Sequence, residues 1–358
     1  MSLPFLHPYI GLSSGLNTRQ AASGAAGVGG WVELGRTTLG SAGDAITVSS
    51  LADKRYYMVL GDLRASGTID PHMRLNSDTG SNYSYRYSDN GGADGTGTSS
   101  SIMLHGAGNS TTPQFAVSYL TNYSTKEKLL LNFAMVQNTA GAGNAPTRRE
   151  SVSKHAQTSN PISVINSHNS GTGDYASGSE VVVLGWDPAD THTNNFWTEL
   201  ASVNASSSST SIDTSTFTAK KYLWIQAYIK SETSSMGSIS ANFNNNVSDY
   251  ANRYSDNGGA DGTITSNTGL ILTDGGTLGT NEGAFINFFI INNSANEKLV
   301  IGNAVKQNTA GAGNAPTRRE TAQKWSNTSS QITSFKILRD SGSGTFTTTS
   351  QIKVWGSN

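Results

Sequence analysis

Apolar positions along the chain come in short runs separated by stretches of Gly, Ser, Thr and Asn, and no run keeps the spacing of an amphipathic helix. Tyr56, Met58 and Leu60 alternate with Tyr57 and Val59, and a second run, YLWIQAY at 222–228, is equally rich in aromatic and β-branched residues. That density predicts a central strand in each place. Phe115 to Leu120 and Phe285 to Ile291 form another matched pair, each followed by a turn and a second apolar run, Lys128 to Val136 or Lys298 to Val305. These are hairpin patterns. Ile162 to Ile165 followed by Glu180 to Leu184, and Ile332 to Leu338 followed by Gln351 to Trp355, are expected to close each half on a further hairpin. Short strands joined by Gly, Ser and Asn turns imply an all-β fold of antiparallel sandwiches, jelly-roll-like in length.

The matched runs belong to an internal duplication. RYSDNGGADGT at 86–96 returns unchanged at 253–263, and QNTAGAGNAPTRRE at 137–150 returns at 307–320. The offset grows from 166 residues at Tyr56 and Tyr222 to 171 at Gly185 and Gly356, so few insertions separate the copies. A module of roughly 160 residues is far longer than a solenoid unit and suits one self-contained domain. The chain therefore divides into an arm and tether (1–30), a first sandwich (31–187), a linker (188–196) and a second sandwich (197–358). The linker is short, so the sandwiches are expected to touch.

Composition agrees: with 39 Gly and only 14% charged residues, the stock of helix formers is thin. A net charge of −1 gives no reason to expect nucleic acid or an anionic membrane as a partner. The absence of cysteine excludes disulfides, thiolate metal sites and cysteine nucleophiles. MSLPFLHPYIGL lacks both the basic start of a signal peptide and a membrane-spanning apolar run, which points to folding in the cytoplasm. Pro4, Phe5, Leu6, Tyr9 and Ile10 make the arm apolar-tipped, and such a segment reads as an attachment that buries itself on another surface, or as an ordinary chain end.

Candidate chemistry is narrowed by comparing the copies. None of the six histidines has a histidine at its counterpart position, and no GxSxG, HExxH or phosphate-loop motif accompanies them. No catalytic residue, metal or cofactor is assigned. Charged residues present in both copies include Arg86 and Arg253, Asp89 and Asp256, Asp94 and Asp261, Arg148 with Arg149, and Arg318 with Arg319, together with Glu127, Glu150 and their counterparts. Asp89 and Asp94 lie in a Gly-rich loop that reads as a turn, though such oxygens also suit calcium or a ligand. The same carboxylates could serve a glycosidase, which needs a pair across a cleft. Tyr85, Tyr87 and Tyr254 could line a sugar site or form a cross-strand ladder. In AGAGNAPTRRE the backbone is expected to run as an irregular loop until Pro146, before two arginines that are solvated, locally paired or in contact with a neighbour.

The module endings ISVINSHNSGTGDYASGSEVVVLGWDP and ITSFKILRDSGSGTFTTTSQIKVWGSN resemble the closing pattern of β-sandwich modules in structural proteins of tailed bacteriophages. KKYLWIQAYIK with its RYSDNGG turn is similar to the opening half of the same module. The resemblance implies a virion component, a capsid decoration (cement) protein, head fibre or tail-associated protein, assembled in the host cytoplasm. Its partners would be the major capsid protein or other virion subunits, and it is expected to be a homo-oligomer. The arm would dock, and the repeated Arg and Asp residues would meet neighbouring subunits. The alternative is a carbohydrate-binding or depolymerising tail protein.

Overall fold

The computed structural model describes residues 30–104, 109–190, 194–232, 235–273 and 278–358. Pro4, Phe5, Leu6, Tyr9 and Ile10 lie outside the described residues, as do His7, His105 and His192. Among the described residues there is no helix, and every strand pair is antiparallel, so the expected all-β sandwich is borne out.

Residues 32–186 build an eight-stranded sheet in the order Val32–Thr38, Glu180–Trp186, Tyr56–Leu63, Gln114–Thr121, Lys128–Val136, Thr147–His155, Tyr83–Asp89, Gly95–Ser99. It packs on a four-stranded sheet made of Ala45–Val48, Ile165–Asn169, Pro71–Leu75 and Ile102–Met103. Residues 198–357 repeat both sheets, from Thr198–Asn204 to Gln351–Ser357. In the first copy Tyr57, Val59, Leu63 and Val183 face Ile46, Met73 and Ile165 across the sandwich. Met58, Leu60, Val182 and Leu184 belong to a separate cluster on the outer face. Two buried faces explain why Tyr56–Leu63 and Glu180–Trp186 are apolar almost throughout rather than alternating with polar residues.

One expectation is corrected. Ile165–Asn169 and Glu180–Trp186 do not form a hairpin, for the first lies in the four-stranded sheet and the second in the eight-stranded sheet. Phe335–Arg339 and Gln351–Ser357 are separated in the same way. The intervening stretch is too long for a tight hairpin turn; it crosses between sheets and buries Tyr175, whose hydroxyl meets Ser167 at 3.0 Å.

The outer faces of the two eight-stranded sheets pack on each other. Met58, Leu60, Phe115, Val117 and Met135 of the first copy share a cluster with Trp197, Tyr222, Phe289, Ile301 and Trp355 of the second. Full burial of a large apolar side chain stabilises by about 1.5–3 kcal/mol, so a cluster of this size makes the contact a third core beside those of the two sandwiches. The Arg36 guanidinium donates to the carbonyl of Asn358 at 2.5 Å, which brings the last residue beside the first strand.

Candidate interaction surface

The ten repeated Arg and Asp residues separate into two groups. Arg149 forks onto Asp89 through two 2.6 Å hydrogen bonds and lies 4.3 Å over the Tyr87 ring. Arg319 does the same to Asp256 at 2.7 and 2.8 Å and lies 4.5 Å over Tyr254. Each fork ties the Asn-Gly turn after Tyr83–Asp89 or Tyr250–Asp256 to the neighbouring strand. Bidentate pairing of this kind fixes geometry as well as charge. It commits the carboxylates that a glycosidase or calcium reading would need. Tyr85 and Tyr87 are cross-strand partners of Gly97 and Gly95, and their rings lie where a side chain on either glycine would be. They form the ladder, with glycine beneath each ring.

The remaining residues are used differently by the two copies. Arg148 donates to Asp261 of the second copy at 2.7 and 2.9 Å and also pairs with Glu150. Its counterpart Arg318 pairs with Glu320 at 3.0 Å, and its side chain is 60% exposed against 7% for Arg148. Asp94 pairs with Arg86 at the surface, whereas Asp261 is buried and Arg253 donates to the carbonyl of Pro146 at 2.6 Å. The expectation of exposed charges meeting other subunits is therefore corrected for Arg148, Arg253 and Asp261, which join the two copies of one chain.

The loop preceding Arg148 follows the same division. In the first copy it docks on the second: Lys324 donates to the carbonyls of Gln137 and Thr139 at 3.2 and 2.7 Å, Gly141 N–H donates to Glu297 at 2.5 Å, and Ser266 N–H donates to the carbonyl of Ala142. Gln137, Ala145 and Pro146 are buried there, while Gln307, Ala315 and Pro316 are exposed. Burial pushes the Lys324 ammonium below its usual pKa, against the pull of Glu297.

At the other edge of the contact, Asp62 and Glu180 receive Lys221 at 3.1 and 3.0 Å, and Tyr222 donates its hydroxyl to Glu180 at 2.9 Å. Burial opposes the Glu180 carboxylate, yet hydrogen bonds from Thr38 and Lys221 outweigh it and hold its pKa below the usual range. Sequence reasoning passed over Asp62, Glu180 and Lys221. Their signal lay in a difference between copies: Tyr228 and Gln351 occupy the positions equivalent to Asp62 and Glu180.

Beyond the contact, the first copy leaves part of the same outer face open. Leu129, Leu131 and Val152 are exposed. Trp31, Tyr56, Tyr119 and Trp186 line an apolar depression of about 460 Å³ beside them. Elsewhere, His72 meets Ser101 at 2.9 Å and Asp70 at 3.3 Å, but Ser101 is buried. That trio ties Ile102–Met103 to Pro71–Leu75 rather than offering a hydroxyl to solvent.

No known protein family matches the chain, and no curated protein matches it. Among solved structures it is similar to the mouse laminin alpha1 chain, domains LG4-5, at 10% identity over 93% of this chain and 90% of that one, with a TM-score of 0.19. It is also similar to Ail, the attachment invasion locus protein of Yersinia pestis, at 5% identity over 80% of this chain and 100% of that one, with a TM-score of 0.12. Both scores are too low to carry a functional argument.

Proposed function

We propose that the protein is a non-enzymatic structural component of a virion, decorating or cementing a phage capsid, with residues 1–30 as its attachment segment. The observation that carries this reading is the apolar outer face of the first copy, open at Leu129, Leu131 and Val152 and bordered by Trp31, where the arm joins the sandwich. An apolar face beside an apolar-tipped arm suits docking on a larger surface. The resemblance of both module endings to phage structural modules supports the same reading, and the repeated carboxylates Asp89 and Asp256, held by arginines, serve architecture.

The test is electron microscopy of capsids lacking the protein after incubation with the purified chain. Regular added density on the shell is expected, and its loss on deletion of residues 1–20 with both sandwiches still folded. Binding at the tail alone, or unchanged binding by the truncated chain, would overturn the assignment.

A further inference from the structure

The contact between the two copies joins different halves of the same outer face. The first copy contributes one end of its sheet, with Phe115, Met135, Arg148 and the loop 137–146; the second contributes the opposite end, with Leu299, Ile301, Ala322, Glu297 and Lys324. Each copy has a counterpart of both ends. Ile301 is 6% exposed but its counterpart Leu131 is 50% exposed, and Phe115 is 1% exposed but its counterpart Phe285 is 43% exposed. Val305, in the place of Met135, and Leu129 and Val152, in the places of Leu299 and Ala322, are exposed as well. One chain thus presents an uncovered receiving end on its first copy and an uncovered inserting end on its second.

We propose that these two ends bind each other between chains, the second copy of one molecule docking on the first copy of the next in the manner of the contact within the chain. The inserting loop is the same in sequence, since 307–320 repeats 137–150 residue for residue. The receiving ion pair is already assembled: Lys154 meets Glu127 at 3.1 Å, as Lys324 meets Glu297 at 3.0 Å. Where Asp62 and Glu180 receive Lys221, the contact between chains would set Tyr228 and Gln351 against Arg55. That replaces the ion pairs by a Tyr–Arg contact, and the inserting end is also more polar, with Gln226, Asn287 and Lys353 in the places of Leu60, Val117 and Val182. The association is therefore weaker than the internal one, dependent on concentration and, through Arg318 and Asp94 in the places of Arg148 and Asp261, weakened by salt. A surface that meets a different surface does not close on itself in pairs, so molecules add head to tail. The receiving end is the same face that the virion reading sets on the shell, so on that reading only the first molecule of a row meets the shell through it; the contact between the copies carries the inference by itself.

Sedimentation velocity of the full chain from low to high micromolar concentration tests it. The wild-type protein is expected to pass beyond dimers into trimers and larger species. Leu131→Glu, which blocks the receiving end, and Phe285→Glu, which blocks the inserting end, should each remain monomeric with unchanged melting. An equimolar mixture of the two should form dimers and nothing larger, because one intact end remains on each. If either variant melts early, Leu131→Gln and Phe285→Gln replace them. A wild-type chain that stays monomeric, stops at dimers, or associates only after residues 1–29 are removed would overturn the proposal. The last result would mean that the arm covers the face; variants associating like wild type would overturn it equally.

Discussion

Arg148 and Arg318 have the same neighbours in sequence and different ones in space. Arg148→Ala should destabilise the protein by about 3–5 kcal/mol, because Asp261 would be left as a buried charge without its fork. Arg318→Ala should stay within about 0.5 kcal/mol, as for most surface changes. Urea denaturation of the two variants measures both, and equal losses would contradict the assignment of Arg148 to the internal contact. His168 gives a second prediction at this scale. Burial, reinforced by the positive charge of Arg74 and by His72, lowers its pKa from 6.5 to about 4. A histidine depressed in the folded state adds stability that is complete above pH 6.5 and is lost as the pH falls toward 4. Screening limits the loss to roughly 1–2 kcal/mol. His168→Leu, which installs the residue found at the equivalent position of the second copy, should remove that component of the acid sensitivity in melts between pH 7 and 4.

At the scale of elements, the Asn-Gly turns show how a local signal meets its surroundings. Asn90 and Gly91 both have positive φ, as do Asn257 and Gly258, and Gly92 N–H closes the first turn onto the carbonyl of Asp89 at 2.9 Å. The primed hairpin turn that Asn-Gly favours needs this backbone. An added Cβ at Gly258 would meet only the flexible end of Arg318, whereas at Gly91 it would lie 2.4 Å from the Asp261 carboxylate and 2.9 Å from its backbone nitrogen. Both alanine variants should lose about 1 kcal/mol to the positive φ, and Gly91→Ala at least about 1 kcal/mol more to the clash. Thermal melts of the pair decide the matter. The turns, the central strands and the Gln114–Val136 hairpin were legible in the sequence because period and turn chemistry are local. The closing strands were misjudged because alternation does not tell a hairpin from a crossing between sheets; pairing is set by Val32–Thr38 and Tyr56–Leu63, which are distant in sequence. The internal contact was only half legible. A continuous apolar run in Tyr56–Leu63 signals two buried faces, but nothing local tells that Ile301 is covered and Leu131 is not.

For the whole molecule, the core shared between the copies couples the sandwiches. Heat should unfold the wild-type protein in one cooperative transition, and Ile301→Asp, which places a charge against Phe133 and Ala134, should divide it into two. Scanning calorimetry reads this directly; a single, merely lowered transition would show that the sandwiches are coupled by other means. Acid should act in the same direction. Because the folded-state pKa of Glu180 lies below its ordinary value of 4.5, the stability it contributes is present above that value and is lost as the pH falls below it.

The hydrogen bond from Arg36 to the carbonyl of Asn358 has a mechanical consequence. A load pulling the arm at Trp31 away from anything tethered at Asn358 would enter two neighbouring edges of the molecule instead of stretching it end to end. Val32–Thr38 and Gln351–Ser357 would bear the force first, the former paired along its length with Glu180–Trp186 and the latter flanked by two strands. The distal turns, including those at Gly91 and Gly258, would stay unloaded. A tether between those two points would thus strain the strand edges before it reached the cores.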